Sequence, residues 1–549
     1  MKLLCLPPPR SAVRGGKWLA LAASIYIQCT SGSSYCFGIY SSLLKNSQAY
    51  DQFTLDSVAF SKDFGANVGV LSGILSSSSR VGAPWVVLLA GSVLCFSGYF
   101  PIWLAVTGAV PRPPLLVMCL SMLLAAQAQT FFNTADVVTA VENFPGNRGT
   151  VIGIMKGFLG LSSAILTQIY RTLYNGNAGA FVLMLACLPA LLPLLLMYFV
   201  KIHQTDGRDD KKHLDAFSII TLIIAGYLML VILGENILTL ETSVRIVAFL
   251  LLLLLLMSPL IVAMKAQLHD WKTLSESCDE SIRPLIGDIN YAVTDLKSDG
   301  LVEEEASSSV IGRESSSQDM CQASREDLSV LQSMLTSEFW LLFLAVACGL
   351  GSGLATINNI SQIGSSLGYS IKEISSLVSL WSIWNFLGRF AIGYISDYFL
   401  RSRGYARTLF MVLTLAVMSI GHVIISSGLP GTLYLGSTFV GLCYGSIWVL
   451  MPSITSEIFG LRDFGTIFNT IAIASPVGSY ILSVRVVGYI YDKESSSSAI
   501  HACMGRHCFM SSFLIMASTS LLGVASSVAL FLRTRKFYSQ VIYAAVQSS

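Results

Sequence analysis

One arginine inside an apolar run is the residue of this sequence with the clearest chemical use. Arg389 lies in NFLGRFAIGYISD, residues 385–397, among Phe386, Leu387, Phe390, Ala391 and Ile392. If the run crosses a bilayer, the guanidinium is costly to place there, and a buried charge of this kind marks a functional site by default. Gly393 and Asp397 follow on the same helical face, with Asp397 roughly 12 Å along the axis at 1.5 Å per residue. A planar guanidinium can hold a carboxylate through two hydrogen bonds. The alternative is an arginine tied to a neighbouring carbonyl or carboxylate, which only joins helices. Further candidates for a substrate cavity are Tyr35, Tyr40, Gln129, Asn133, Lys156, Asn358, Asn359 and Gln362, with Asn385 beside the arginine. For the tyrosines, the glutamines, Asn133, Asn358 and Asn359, packing between helices is the plainer role, while the long stem of Lys156 could instead carry its charge to the cytoplasmic surface.

The elements that would position these groups follow from composition. The chain has 549 residues, 53% of them hydrophobic and 12% charged, where a soluble domain carries roughly 25% charged residues. With a mean hydropathy of +0.66, this is the composition of a polytopic membrane protein. A formal net charge of +2 gives no support for nucleic-acid binding. The N-terminal stretch, with Lys2, Arg10, Arg14 and Lys17 before WLALAASIYI, has the outline of a signal peptide. Its apolar character continues through Ile39, so a first membrane helix is the preferred reading.

Runs of about 20 apolar residues predict spans near 17–40, 64–80, 84–108, 114–140, 149–172 and 179–201, then 215–235 and 244–264. Six more follow near 337–361, 373–396, 406–428, 431–456, 465–491 and 509–532. The predicted domains are a six-helix bundle over 1–201, two connector helices over 202–264, an acidic Ser-rich cytoplasmic loop over 265–336 and a second six-helix bundle over 337–549. With the N-terminus inside, 23 of the 34 Lys and Arg fall on the inner side, 8 outside and 3 within spans, which places both termini in the cytoplasm. The acidic loop has the composition of a disordered segment. Ser315 after Arg313 offers a phosphorylation site, although a solvated linker without regulation is the simpler reading.

An internal repeat links the two sets of six. ENFPGNRGTVIG (142–153) and EIFGLRDFGTIFN (457–469) share Glu, Phe, Arg and Gly-Thr in order, as in transporters built from two halves. At the end of the second helix of the second half, Gly393 and Asp397 are followed by Arg401, Arg403 and Arg407. This is a charge latch that must break when the halves rock. The counterpart in the first half, SGILSSSSRVGAPW, keeps Gly73, Arg80 and Gly82 but has no aspartate.

The G-x-x-S-D motif with its arginines resembles the loop motif of the major facilitator superfamily. The longer string from Asn385 to Asp397 is similar to the oxalate–formate antiporter and monocarboxylate-transporter branch, which implies that Arg389 binds a substrate carboxylate. Residues 17–45, 82–91 and 131–170 resemble the plant nodulin-like proteins, and the likeness extends over nearly the whole chain. The expected fold class is therefore an all-α polytopic membrane protein of the major-facilitator type: two six-helix bundles with two extra central helices, about 14 spans.

HACMGRHCF places His501, Cys503, His507 and Cys508 together on the outer side. No standard zinc spacing is present, and a Cys503–Cys508 disulfide is the better reading in an oxidising compartment. No nucleophile–base pair, phosphate loop or Walker motif is present, so neither catalysis nor ATP-driven transport is expected. No cofactor or metal is expected, with protons as a coupling ion. The expected partners are a small-molecule solute and the lipid bilayer, in the plasma membrane or an endomembrane such as the vacuole. The sequence thus points to a secondary transporter of a small organic anion working by alternating access. The competing readings are a non-transporting receptor or scaffold, or a transporter of neutral solutes or metal ions.

Overall fold

Short polar signals set where the long apolar helices begin and end. The structure, a computed structural model, describes residues 16–50, 52–78, 83–174, 177–203, 210–237, 241–295, 328–495 and 503–547. The first half comprises α1 (Lys17–Ser31), α2 (Phe37–Gln48), α3 (Gln52–Asn67), α4 (Val70–Ser77), α5 (Pro84–Val106), α6 (Leu115–Asn143), α7 (Arg148–Leu173) and α8 (Ala178–Leu196). Then come α9 (Asp210–Ile237) and α10 (Thr242–Asp295). The second half comprises α11 (Val330–Met334), α12 (Ser337–Ser366), α13 (Ile371–Arg403), α14 (Arg407–Ser426), α15 (Thr432–Ile458), α16 (Phe464–Ala472), α17 (Ala474–Ser479), α18 (Tyr489–Ser495) and α19 (His507–Gln547).

Pro84 opens α5 at a position where its missing N–H costs nothing. α13 starts with a reciprocal cap between Ser370 and Glu373, a device worth on the order of 1 kcal/mol. It ends at Gly404, whose φ of 70° is the left-handed geometry that favours glycine. The helix on which Arg389 and Asp397 sit is thus fixed at both ends.

Eleven of the described helices are long and apolar enough to cross a membrane. No strand occurs among the described residues, so this is an all-α integral membrane protein. The other three spans read from the sequence are helical but interrupted or more polar. The first is broken by a 3-10 turn over Gly32–Cys36. The second begins at Gln52, not near 64, and breaks between α3 and α4. The third is α13, with Arg389 and Asp397 within it. The early start of the second span was hidden by Lys62 and Asp63, which pair with each other at 2.9 Å.

The loop predicted over 265–336 also differs. α10 runs without a break from its span to Asp295, because Leu268 and Trp271 keep helical spacing while the polarity rises. The serine clusters at 307–309 and 315–317 lie outside the described residues.

One apolar cluster joins α1, α6 and α7 through α9 and α10 to the core of the second half, while another is confined to the first half around Tyr40, Tyr99 and Phe132. The connectors are fastened to the first half: Lys17 pairs with Asp210, Arg171 and Gln168 both donate to Glu235, and Trp18 Nε1 donates to Asp270 at 2.7 Å.

Candidate functional site

Arg389 is carried into the middle of the protein by a close crossing of α7 and α13. The crossing is built from glycines. A Cβ at Gly393 would lie 3.0 Å from Gly153 Cα and closer still to the Gly149 carbonyl, and a Cβ at Gly153 would meet the Arg389 carbonyl at 3.1 Å. The guanidinium is 2% exposed. Its Nε donates to Asn385 Oδ1 and its Nη1 to the Lys156 carbonyl, both at 2.9 Å. Two of its five N–H donors are therefore used for positioning, and the side chain lines a cavity between the halves.

That cavity, of about 90 Å³, collects side chains from both bundles. From the first half come Tyr35, Lys62, Asp63, Gln129, Asn133 and Lys156; from the second, Arg389, Tyr444, Trp448, Phe468 and Asn469. Lys156 is 3% exposed, and its Nζ lies 5.3 Å from the Trp448 ring and 5.7 Å from that of Phe468. Among the described residues no carboxylate lies within ion-pair distance of Lys156 or Arg389. Asn133 Oδ1 is buried with no hydrogen-bond partner among the described residues. The walls thus carry three cationic side chains and one carboxylate, Asp63, which Lys62 already neutralises. The basic side chains thus outnumber the acidic one around this cavity.

Below Arg389, at the end of the bundle where α1 begins, Asp397 closes the gap between the halves. Its Oδ2 accepts from the Thr150 amide at 2.5 Å and the Thr150 hydroxyl at 2.6 Å, and its Oδ1 from the Gly149 amide at 3.1 Å. Asp397 therefore caps the N-terminus of α7 from another helix, where amide donors and the helix dipole favour negative charge. Arg407 pairs with Asp397 and with Glu457, each at 2.5 Å, and Tyr538 donates to Glu457 at 2.6 Å. Arg401 reaches the Gly146 carbonyl of the first half.

Of the residues singled out from the sequence, the cavity brings together Arg389, Tyr35, Asn133, Lys156 and Gln129, with Asn385 as the brace of Arg389. Tyr40 is elsewhere, fully buried in the first half with its hydroxyl 3.8 Å from Met122 Sδ. Asn358 is exposed, and Asn359 bonds to Ser483 at 3.0 Å. In the latch, Gly393, Asp397 and Arg401 lie at the interface, whereas Arg403 is exposed and, among the described residues, makes no hydrogen bond or ion pair with the first half. Cys503 and Cys508 are joined by a disulfide; His501 lies outside the described residues, as does Arg80. Sequence reasoning named Arg407 among the arginines of the latch without singling it out as the partner of Asp397, and it did not place Glu457 or Tyr538 there. It also assigned Lys62 to an outer loop. A charge pair inside one helical turn at Lys62 and Asp63 was the signal available for the latter.

Known proteins resemble the chain at two levels. The Nodulin-like family profile matches residues 17–264, and that of the NFD4 C-terminal domain matches residues 325–540. Protein NUCLEAR FUSION DEFECTIVE 4 of Arabidopsis thaliana is 27% identical over 557 residues, covering 98% of this chain and 92% of that protein. Probable transporter MCH1 of Candida glabrata is 24% identical over 193 residues, 33% of this chain and 39% of its own length. Among solved structures, the proton:xylose symporter XylE, a major facilitator superfamily protein, aligns with a TM-score of 0.53 at 12% identity, covering 94% of this chain and 95% of that one. The human organic anion transporter MFSD10 aligns with a TM-score of 0.50 at 11% identity, covering 95% and 100%. At such identities the structural likeness shows the fold alone.

Proposed function

This chain is a nodulin-like member of the major facilitator superfamily, and from that premise we propose that it is a secondary transporter moving a small organic anion, a carboxylate, by alternating access. The observation that carries the reading is the cavity between the halves, where Arg389 and Lys156 have no carboxylate among the described residues while Lys62 and Asp63 cancel each other. The planar fork of Arg389 presents two parallel N–H groups to a carboxylate, and Lys156 adds a point charge behind it. Asn133 and Tyr35 supply hydrogen bonds that fix orientation. The glycine crossing of α7 and α13, with the latch at Asp397, seals the cavity at its inner end, and Tyr35 and Asp63, both more than half exposed, mark its other mouth. The Lys and Arg count puts the sealed end in the cytoplasm.

The test is uptake of a labelled panel of mono- and dicarboxylates into proteoliposomes at two external pH values. Wild-type protein accumulates at least one carboxylate. Arg389→Lys keeps the charge but loses the fork, and lowers that uptake by about 10- to 100-fold, the equivalent of one charged hydrogen bond, with unchanged insertion into the vesicles. Unchanged uptake in Arg389→Lys, or a wild type that moves only neutral solutes, refutes the reading.

A further inference from the structure

One buried acid lies outside the site just described. Asp136 on α6 is fully buried, and among the described residues no cation lies within ion-pair distance of it. Gln28 on α1 donates from Nε2 to Asp136 Oδ2 at 2.8 Å. The two remaining oxygens of this pair, Gln28 Oε1 and Asp136 Oδ1, are both buried and, among the described residues, both without a hydrogen-bond partner. An ionised carboxylate leaves them so, since two acceptors cannot bond each other. A carboxylic acid removes both deficits with one proton: Asp136 Oδ1–H donates to Gln28 Oε1 while Gln28 Nε2–H donates to Asp136 Oδ2, the closed ring of an acid–amide pair. Buried polar groups are satisfied as a rule, so the neutral acid is the form that fits this arrangement.

The pair is also connected to the cavity. Gln129, Asn133 and Asp136 are spaced four and three apart on α6 and share one face of the helix, so the acid is roughly 4.5 Å along the axis from Asn133, which lines the cavity. Thr139, on the same face beyond Asp136, has its hydroxyl buried and without a partner among the described residues. A polar stripe therefore runs past the acid toward the inner end of α6. The charged groups on the packed elements are engaged elsewhere. Lys17 of α1 pairs with Asp210, and Lys62 and Asp63 of α3 pair with each other. On α7, Arg148 donates to the Ser456 carbonyl, Lys156 faces Trp448 and Phe468, and Arg171 pairs with Glu235. α4, α5 and α16 carry no charged side chain. The side chains that act on Asp136 itself are those of Ser24 and Gln28.

We propose that Asp136 and Gln28 form a proton-binding site, loaded in the state seen here, on the polar face of α6 that also lines the cavity. Binding converts the carboxylate to the acid and breaks no other bond. Infrared difference spectroscopy of the purified full chain in nanodiscs, without any solute, tests the site. The wild type shows the carbonyl stretch of a protonated carboxylic acid at neutral pH, and Asp136→Asn removes it. Gln28→Leu retains the band but moves it to higher frequency, because the acid loses its hydrogen-bond partner. A wild type lacking the band, or a band undiminished in Asp136→Asn, overturns the proposal. The measurement contains no anion, so its outcome is independent of the uptake assay that judges Arg389.

Discussion

Gly393 on α13 and Gly73 on α4 occupy corresponding places in the two halves, and each admits a helix of the opposite bundle to backbone contact. A Cβ on Gly73 would come within 2.6 Å of the Gly465 carbonyl, and one on Gly393 would press on Gly149 and Gly153. Around this shared backbone the chemistry is unlike. Four residues past Gly393 stands Asp397, accepting from Gly149, Thr150 and Arg407. Four residues past Gly73 stands Ser77, which among the described residues accepts a hydroxyl hydrogen bond from Thr466 at 3.0 Å. One turn to the other side, α13 offers Arg389 to Gly153, whereas α4 has Gly69 and the side chain comes from the partner, Asn469, which bonds Thr134 at 2.8 Å. The repeat therefore preserves where helices touch while one crossing is held by charge and the other by neutral contacts. If the halves rock, most of the resistance sits at the α7–α13 crossing.

The sharpest way to break that comparison is to remove the two latches in turn. Asp397→Ala leaves the first amides of α7 buried without their acceptor and takes from Arg407 one of its two carboxylates, costing about 3–5 kcal/mol. Ser77→Ala costs about 1 kcal/mol or less. Thermal unfolding in detergent measures both, and equal losses would mean the crossings are equivalent. Adding a methyl at the contacts asks whether the backbones are equally tight: Gly393→Ala and Gly73→Ala should each cost about 1–3 kcal/mol through overpacking, and a loss at only one of them would deny the shared geometry. Building the missing acid is a smaller change. Ser77→Asp places a carboxylate at the N-terminus of α16 and gains about 0.3–1 kcal/mol, read as slower labelling of a cysteine introduced at the inner end of the cavity; faster labelling would sink the idea. The smallest effect belongs to Arg403→Ala, within about 0.5 kcal/mol of wild type, since this arginine is exposed while Arg401 and Arg407 make the contacts.

Residue type alone made Arg389 and Asp397 legible, because a charge in an apolar run has few uses. Spacing made Gly393 legible, and the repeat paired Thr150 with Thr466 before any coordinates were needed. Helix periodicity placed most spans well. It failed where charges neutralise each other, at Lys62 and Asp63, and where a helix outlasts its apolar part, in α10. The links from Arg407 to Glu457 and from Glu457 to Tyr538 were illegible for another reason: they join positions 50 and 81 residues apart, and tertiary contacts of that kind leave no periodic trace. The Gln28–Asp136 pair, 108 residues apart, was hidden in the same way.

α10 has a mechanical consequence. Its 54 residues make a rod of roughly 80 Å at 1.5 Å per residue, far longer than the hydrocarbon thickness of about 30 Å. Trp18 grips it through Asp270, close to where its apolar part ends. Any tilt of the first bundle is therefore passed to the rod, and the displacement grows with distance from that grip. A conformational change too small to detect at the cavity would be widest at Asp295, which makes the far end of α10 the place to attach a spectroscopic label that reports on transport.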